Sequence, residues 1–348
     1  MRTVTIGDRL VGAGQPPFVV AEAGINHNGE LGRALELIRV AASAGCDAVK
    51  FQTFRAAEFI NDRSQTFTYR SQGREITESM LTMFQRYELP PEAWKTIKAE
   101  CAKAQILFFS TPQNYSDLQL LLQVGIPAVK VGSDDLTNLP LLRSFARCRL
   151  PLILSSGMSD LAEVYQALES VGALEGYPTV LLVCTSQYPT PPQDVNLSRI
   201  SSLQAAFPSL PIGFSDHTRG PLASALAVAL GASYLEKHFT LDHDLPGPDH
   251  WFSEDPQGLA EWVSAIRSAA TMLGSALVRP TQAERHAKVE YQRRLVAARN
   301  IAAGEILDEG AFTLRRVAGG SGLLPVFMPY LLGRPAPRAW SKGEPIEL

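Results

Sequence analysis

The chain has 348 residues, 45% of them hydrophobic and 19% charged, with a formal net charge of -3. A chain of this length buries a sizeable core without covalent staples. The near-neutral balance gives no electrostatic reason to expect nucleic acid or an anionic membrane surface as partner.

The opening residues, MRTVTIGDRLVG, have no apolar stretch of the kind a signal peptide needs. A first strand is expected at residues 18–25 (FVVAEAGI). In the following LGRALELIRVAASAG, Leu31, Ala34, Leu35, Ile38, Ala41 and Ala42 keep helical spacing. Gly45 stands where a left-handed C-terminal cap belongs. A second strand is expected at residues 48–54 (AVKFQTF). Residues 55–90 then break the rhythm with a long polar segment; long loops in compact domains carry function or move. Further strands are predicted at 107–112, 128–134, 152–158, 180–186, 212–217 and 234–240. Helices are predicted near 90–104, 115–124, 160–171, 220–230 and 256–274.

The eight strands are continuous apolar runs, as parallel strands covered on both faces are. Eight strand–helix alternations predict an α/β fold, a (βα)8 TIM barrel over residues 1–275. The apolar run PLASALAVALGASYL is shorter than the roughly 20 residues of a membrane span. Residues 276–290 read as a polar linker, and 291–348 as a small, mostly β domain. Cys46, Cys101, Cys148 and Cys184 form no C-x-x-C pair and fit no zinc or haem spacing, which suits a reducing cytoplasm.

Every expected strand ends in polar residues. These include Glu22 with Asn26 and His27, Lys50 with Gln52, Ser110 with Thr111, and Lys130 with Ser133 and Asp134. Further along come Ser155 with Ser156, Thr185, Ser186 and Tyr188, Ser215 with Asp216 and His217, and Glu236 with Lys237 and His238. Active sites of this fold lie at the C-terminal strand ends, so these groups converge on one mouth. His217 and His238 end neighbouring strands and suit a divalent cation such as Mn²⁺, Co²⁺, Zn²⁺ or Fe²⁺ acting as a Lewis acid. Lys50 and Lys130, with hydroxyls around them, have the makings of a cradle for phosphate and carboxylate. Two other readings stand beside it: one lysine as a Schiff-base nucleophile, or both in buried salt bridges with Glu22 or Glu236.

The motifs AEAGINHNG, VKFQTF, FSTP, KVGSDDLTNLPLL, ILSSGM, CTSQYPTP, GFSDHT, EKHFTLD and PGPDHWFS occur in this order. Together they resemble the sialic acid synthase family, which includes N-acetylneuraminate, legionaminate and pseudaminate synthases. The tail, LVAARNIAAGEIL followed by TLRR, resembles that family's antifreeze-like (SAF) domain. The resemblance implies condensation of phosphoenolpyruvate with an N-acylated hexosamine such as N-acetylmannosamine. It implies a divalent metal, Mn²⁺ first with Mg²⁺ or Co²⁺ as alternatives, on His217 and His238. Lys50, Thr111, Lys130, Ser133, Ser155, Ser186, Tyr188 and Ser215 match phosphoenolpyruvate-binding positions. Glu22 matches an acid or base, with Glu236 a second carboxylate placed to position water. Asp249 and Gln52 match sugar contacts. A domain-swapped homodimer is also implied, in which an arginine of the small domain reaches the partner's site. Arg316 is that candidate and Arg315 the alternative. The run L-R-R-V-A-G-G departs from the family's K-R-P-G-x-G and bears on which sugar is accepted.

Overall fold

Eight apolar runs form eight parallel strands: β1 (Phe18–Gly24), β2 (Ala48–Thr53), β3 (Leu107–Pro112), β4 (Val129–Val131), β5 (Leu152–Ser155), β6 (Thr179–Cys184), β7 (Ile212–Asp216) and β8 (Tyr234–His238). Each pairs with the next, and β8 pairs with β1, so the sheet closes into a barrel. The coordinates are a computed structural model describing residues 3–348. The chain forms two units, Met1–Gly274 and Ser275–Leu348. β1 is buried along its whole length, as expected of a strand with apolar neighbours on both faces.

Helix Leu31–Ser43 turns Ala34, Leu37, Ile38 and Ala41 inward, close to the face expected from its spacing. Gly45 follows it at φ 83°, the left-handed conformation a residue with Cβ rarely adopts. Helices Leu139–Ala146 and Arg199–Ala206 complete the alternation; both lack the long apolar periodicity that marks the others. A hairpin, Val4–Ile6 with Arg9–Val11, joins the barrel core through Val4, Ile6 and Val11. Its turn at Gly7 lies against Leu107, the first residue of β3, and so at the N-terminal end of the barrel.

Two expectations change, and the small β domain takes the form expected of it. Residues 55–90 are not an open loop: they hold a hairpin, Thr66–Ser71 with Arg74–Ser79, and a helix, Met80–Tyr87. Phe54, Phe59 and Phe84 anchor that segment, with edge-to-face rings 5.2–5.8 Å apart. The expected linker carries a helix, Gln282–Tyr291, opened by a capping box between Thr281 and Glu284. In the second unit the regular strands are Arg294–Ala297 and Phe312–Arg315, paired antiparallel. Short 3₁₀ turns and isolated bridges make up the rest around a core that includes Leu295, Ile301, Leu307 and Trp340. No helix among the described residues is long and apolar enough to cross a membrane.

Candidate active site

Side chains alternate along a strand, so register decides which polar groups share the mouth. Glu22 pairs in register with Lys50 on one side and His238 on the other. Ser215 stands beside Glu236 and beside Cys184. These side chains line a cavity of about 300 Å³ at the C-terminal strand ends, together with Gln52, Thr111, Lys130, Ser133, Ser155, Ser186, Tyr188 and His217. Asp216 and Lys237 point away from it. They pair with each other at 3.1 Å, and Lys237 reaches Glu254 at 3.6 Å.

Two ammonium groups form the floor. Lys50 Nζ lies 2.5 Å from Glu22 Oε2 and 3.5 Å from Glu236 Oε1, and donates to Thr111 Oγ1 at 3.2 Å. Lys130 Nζ donates to Ser155 Oγ at 2.7 Å and lies 3.8 Å from Glu236 Oε1. The buried salt bridges and the lysine cradle are thus the same set of atoms. Burial pushes Glu22 above its ordinary range against the pull of Lys50, and the charge of Glu236 adds to the rise. Glu236 is buried too, yet Lys130 and Lys50 overcome that cost and hold it low, helped by a hydrogen bond from Tyr234 at 2.9 Å. Burial lowers Lys130; Lys50 resists the same burial because Glu22 and Glu236 favour its charge. Environments that push two carboxyls apart prepare one as acid and the other as base.

Beside the floor, Ser133 Oγ accepts from Gly157 N at 3.1 Å. A Cβ at Gly157 would sit 2.5 Å from Ser186 Oγ and 2.6 Å from Ser133 Oγ, so two hydroxyls and a bare backbone close on one small space. Two hydroxyls on the cavity lining, with a bare backbone beside them, are groups that suit phosphate oxygens. Two hydroxyls expected here turn elsewhere. Ser110 Oγ donates to Phe51 O at 2.9 Å, and Ser156 Oγ donates to Leu182 O at 2.8 Å, as buried hydroxyls without a ligand must.

The imidazoles form the opposite wall, with ring centroids 5.5 Å apart. His217 Nδ1 lies 2.7 Å from the Thr185 carbonyl, which can only accept. Nδ1 therefore carries a proton, and Nε2 faces Ser215 Oγ at 3.5 Å. Burial opposes charge on the ring, but Cys184 and the Thr185 carbonyl outweigh it and push His217 above its ordinary value. His238 Nδ1 is buried without a hydrogen-bond partner. Burial, with cationic neighbours, holds His238 well below its ordinary value, which favours the neutral ring. Asp249 Oδ2 lies 3.8 Å from His238 Nδ1. Burial and the charge of Glu22 push Asp249 up to about 7. No three His, Cys, Asp or Glu side chains among the described residues converge on one point. Two imidazoles with ring centroids 5.5 Å apart are nitrogen donors of the kind a divalent transition cation takes.

Gln52 Nε2 donates to Glu22 Oε1 at 3.4 Å, and Tyr188 lies over His217 with centroids 4.1 Å apart. His27 and His250 are buried away from this wall. His27 Nδ1 accepts from Gly29 N, and His250 Nε2 meets Asn28 Oδ1 at 3.0 Å. Arg316 belongs to the second unit, where its guanidinium lies 5.6 Å from the Tyr291 ring centroid; Arg315 pairs in register with Arg294. The sequence reading missed Cys184, whose thiol lines the cavity 3.8 Å from His217 Nδ1, and Phe59 and Phe84 from the inserted segment. Cys184 was legible as the residue opening CTSQYPTP, and Phe84 as one of the apolar residues Met80, Met83, Phe84 and Tyr87 at helical spacing; Phe59 carried no such signal.

The NeuB family model matches residues 37–277, and the SAF domain model matches 292–348. An uncharacterized protein of Methanocaldococcus jannaschii is 40% identical over 96% of this chain and 94% of its own length. The N,N'-diacetyllegionaminic acid synthase of Campylobacter jejuni is 39% identical over 87% of this chain and 91% of its own. Among solved structures, the N-acetylneuraminic acid synthetase of Leptospira borgpetersenii, in complex with citrate, superposes with a TM-score of 0.73. It is 32% identical and covers 82% of this chain and 95% of its own. The chain belongs to the NeuB family, the sialic acid synthase family its motifs resemble, and carries that family's SAF domain at its C-terminal end.

Proposed function

We propose that the chain condenses phosphoenolpyruvate with the open-chain aldehyde of an N-acylated hexosamine, N-acetylmannosamine in the first instance, giving a nine-carbon 2-oxo acid and inorganic phosphate. The observation that carries this reading is one mouth holding a lysine-and-hydroxyl cradle and, facing it, two imidazoles, one of them with an unpartnered buried Nδ1. Lys50 and Lys130 neutralise the carboxylate and phosphate. Ser133, Ser186 and the Gly157 backbone surround the phosphate, with Thr111, Ser155 and Ser215 completing the oxygen shell. His217 and His238 hold a divalent cation, Mn²⁺ by preference with Mg²⁺ or Co²⁺ as alternatives, which supplies Lewis-acid polarisation of the aldehyde when bound.

The third carbon of phosphoenolpyruvate attacks the aldehyde carbon. Glu22, whose carboxyl is pushed up by burial, is placed to give a proton to the aldehyde oxygen as the carbonyl bond breaks. Water adds to the second carbon, and the ionised Glu236 positions it and takes its proton. The carbon–oxygen bond to phosphate then breaks and leaves the 2-oxo group. Gln52 and Asp249 hold sugar hydroxyls. Tyr188 closes one side of the pocket. Arg316, or Arg315 in its place, comes from a second copy in a domain-swapped homodimer and meets the acyl group.

The test is phosphate release by purified, metal-loaded protein. Release should need phosphoenolpyruvate, acylamino hexose and cation together. No release across N-acetylmannosamine and the diacetamido trideoxy hexoses would overturn the reading. The similarity to a diacetyllegionaminic acid synthase supports those diacetamido sugars as the second reading. A borohydride-stable adduct with pyruvate would instead favour a Schiff-base aldolase acting through Lys50 or Lys130.

A further inference from the structure

A second chamber, of about 500 Å³, adjoins the catalytic cavity and shares Ser186 and Tyr188 with it. One wall is the inserted hairpin; the other is the segment from Pro248 to Phe252. The hairpin is pinned at both ends. At its tip, Ser71 Oγ accepts from Gly247 N at 3.0 Å, and Gln72 Nε2 donates to Asp244 O at 2.8 Å. At its base, Tyr69 donates to Glu78 at 2.6 Å, and Glu78 pairs with Arg86. Inside, the Arg70 guanidinium lies 5.3 Å from the Trp251 ring centroid, and Phe252 packs 5.2 Å from Tyr188. Among the described residues Arg70 has no ion pair, although Glu75 stands opposite it in register.

We infer that this chamber is a second substrate subsite, taking a neutral N-acyl substituent at the end of the sugar remote from its aldehyde. The inference rests on the condensation proposed above. With the aldehyde at the imidazoles, the sugar chain runs past Tyr188 and Asp249, and the chamber opens there. Its aromatic faces suit an acyl methyl and sugar C–H groups. Arg70, held in place on Trp251, offers donors to an amide carbonyl. A phosphate substituent fits poorly, because the Glu75 and Asp249 carboxyls stand in the same lining.

The experiment compares two sugars: N-acetylmannosamine, and a hexose bearing a second acetamido group remote from the aldehyde. Wild type, Arg70→Ala and Trp251→Leu are assayed for KM and kcat, with Trp251→Phe as the conservative control. Arg70 is on an exposed strand position, so its replacement leaves the fold intact. Both disruptive variants should raise KM for the diacetamido sugar about tenfold. KM for phosphoenolpyruvate and for N-acetylmannosamine should stay within about twofold, and Trp251→Phe should retain most of the affinity. Equal effects on both sugars, or none, would overturn the subsite. So would Arg70-dependent preference for a sugar phosphate. If wild type turns over neither sugar, the condensation reading fails. Tryptophan-fluorescence titration then decides the chamber: Arg70-dependent binding of the diacetamido sugar supports it, and absence of binding overturns it as well.

Discussion

A methyl group at Gly157 has no free volume, because the Ser133 and Ser186 hydroxyls already crowd that point. Those hydroxyls can rotate aside, so Gly157→Ala should fold but lose the cradle. KM for phosphoenolpyruvate should rise about 10- to 100-fold, the cost of one or two charge-assisted hydrogen bonds, with sugar KM little changed. An unchanged phosphoenolpyruvate KM in steady-state kinetics would remove Gly157 from the phosphate site. His217→Ala should lower turnover at least about 100-fold while the melting temperature stays near wild type, because a strand-end ligand contributes little packing. Much of this was readable beforehand: polar residues at every strand end named the mouth. What the sequence could not show was direction. Ser110 and Ser156 sit among the right neighbours but spend their hydrogen bonds on backbone carbonyls, a choice set by rotamer and register.

At the scale of elements, three phenylalanines anchor the inserted segment, and Met83, Phe84 and Tyr87 follow helical spacing along its helix. Phe84→Ala removes two edge-to-face partners, worth about 0.5–1.5 kcal/mol each beyond burial. Limited proteolysis within residues 60–79 should accelerate, while the barrel's thermal midpoint moves little; an unaltered cleavage rate would show that the aromatic cluster does not hold the hairpin. The eight barrel strands were legible because burial on both faces leaves unbroken apolar runs. The two hairpins were not, because each is short and at least partly solvent-facing. Their turns left only a faint mark: Gln72 and Gly73 both adopt positive φ, a pairing usually announced by Asn-Gly. β4 shortens to Val129–Val131 because a 3₁₀ turn, Ser133–Asp135, begins directly after Gly132.

For the whole molecule, assembly and acid stability give two tests. If Arg316 serves the partner's site, Arg316→Ala and His217→Ala should each be nearly inactive alone. Mixed dimers of the two should recover activity, since one site in each then has both residues. Recovery absent after confirmed subunit exchange would place the arginine elsewhere. Burial, with Arg33 and His250 nearby, lowers His27 from 6.5 to about 3. Its folded value lies below its unfolded one, so the stability it contributes is complete above about pH 6.5 and drains away as pH falls toward 3. The loss reaches roughly 1.4 kcal/mol per pH unit. His27→Gln should flatten the fall in melting temperature between about pH 6 and 4; a curve parallel to wild type would contradict that.

The most direct test uses phosphoenolpyruvate carrying heavy oxygen in the bridge between carbon and phosphorus. With an acylamino hexose and Mn²⁺, mass spectrometry should find a nine-carbon 2-oxo acid free of label and phosphate that contains it. An acid that keeps the label, or no nine-carbon product from a properly folded, metal-loaded enzyme, would contradict the chemistry assigned to this mouth.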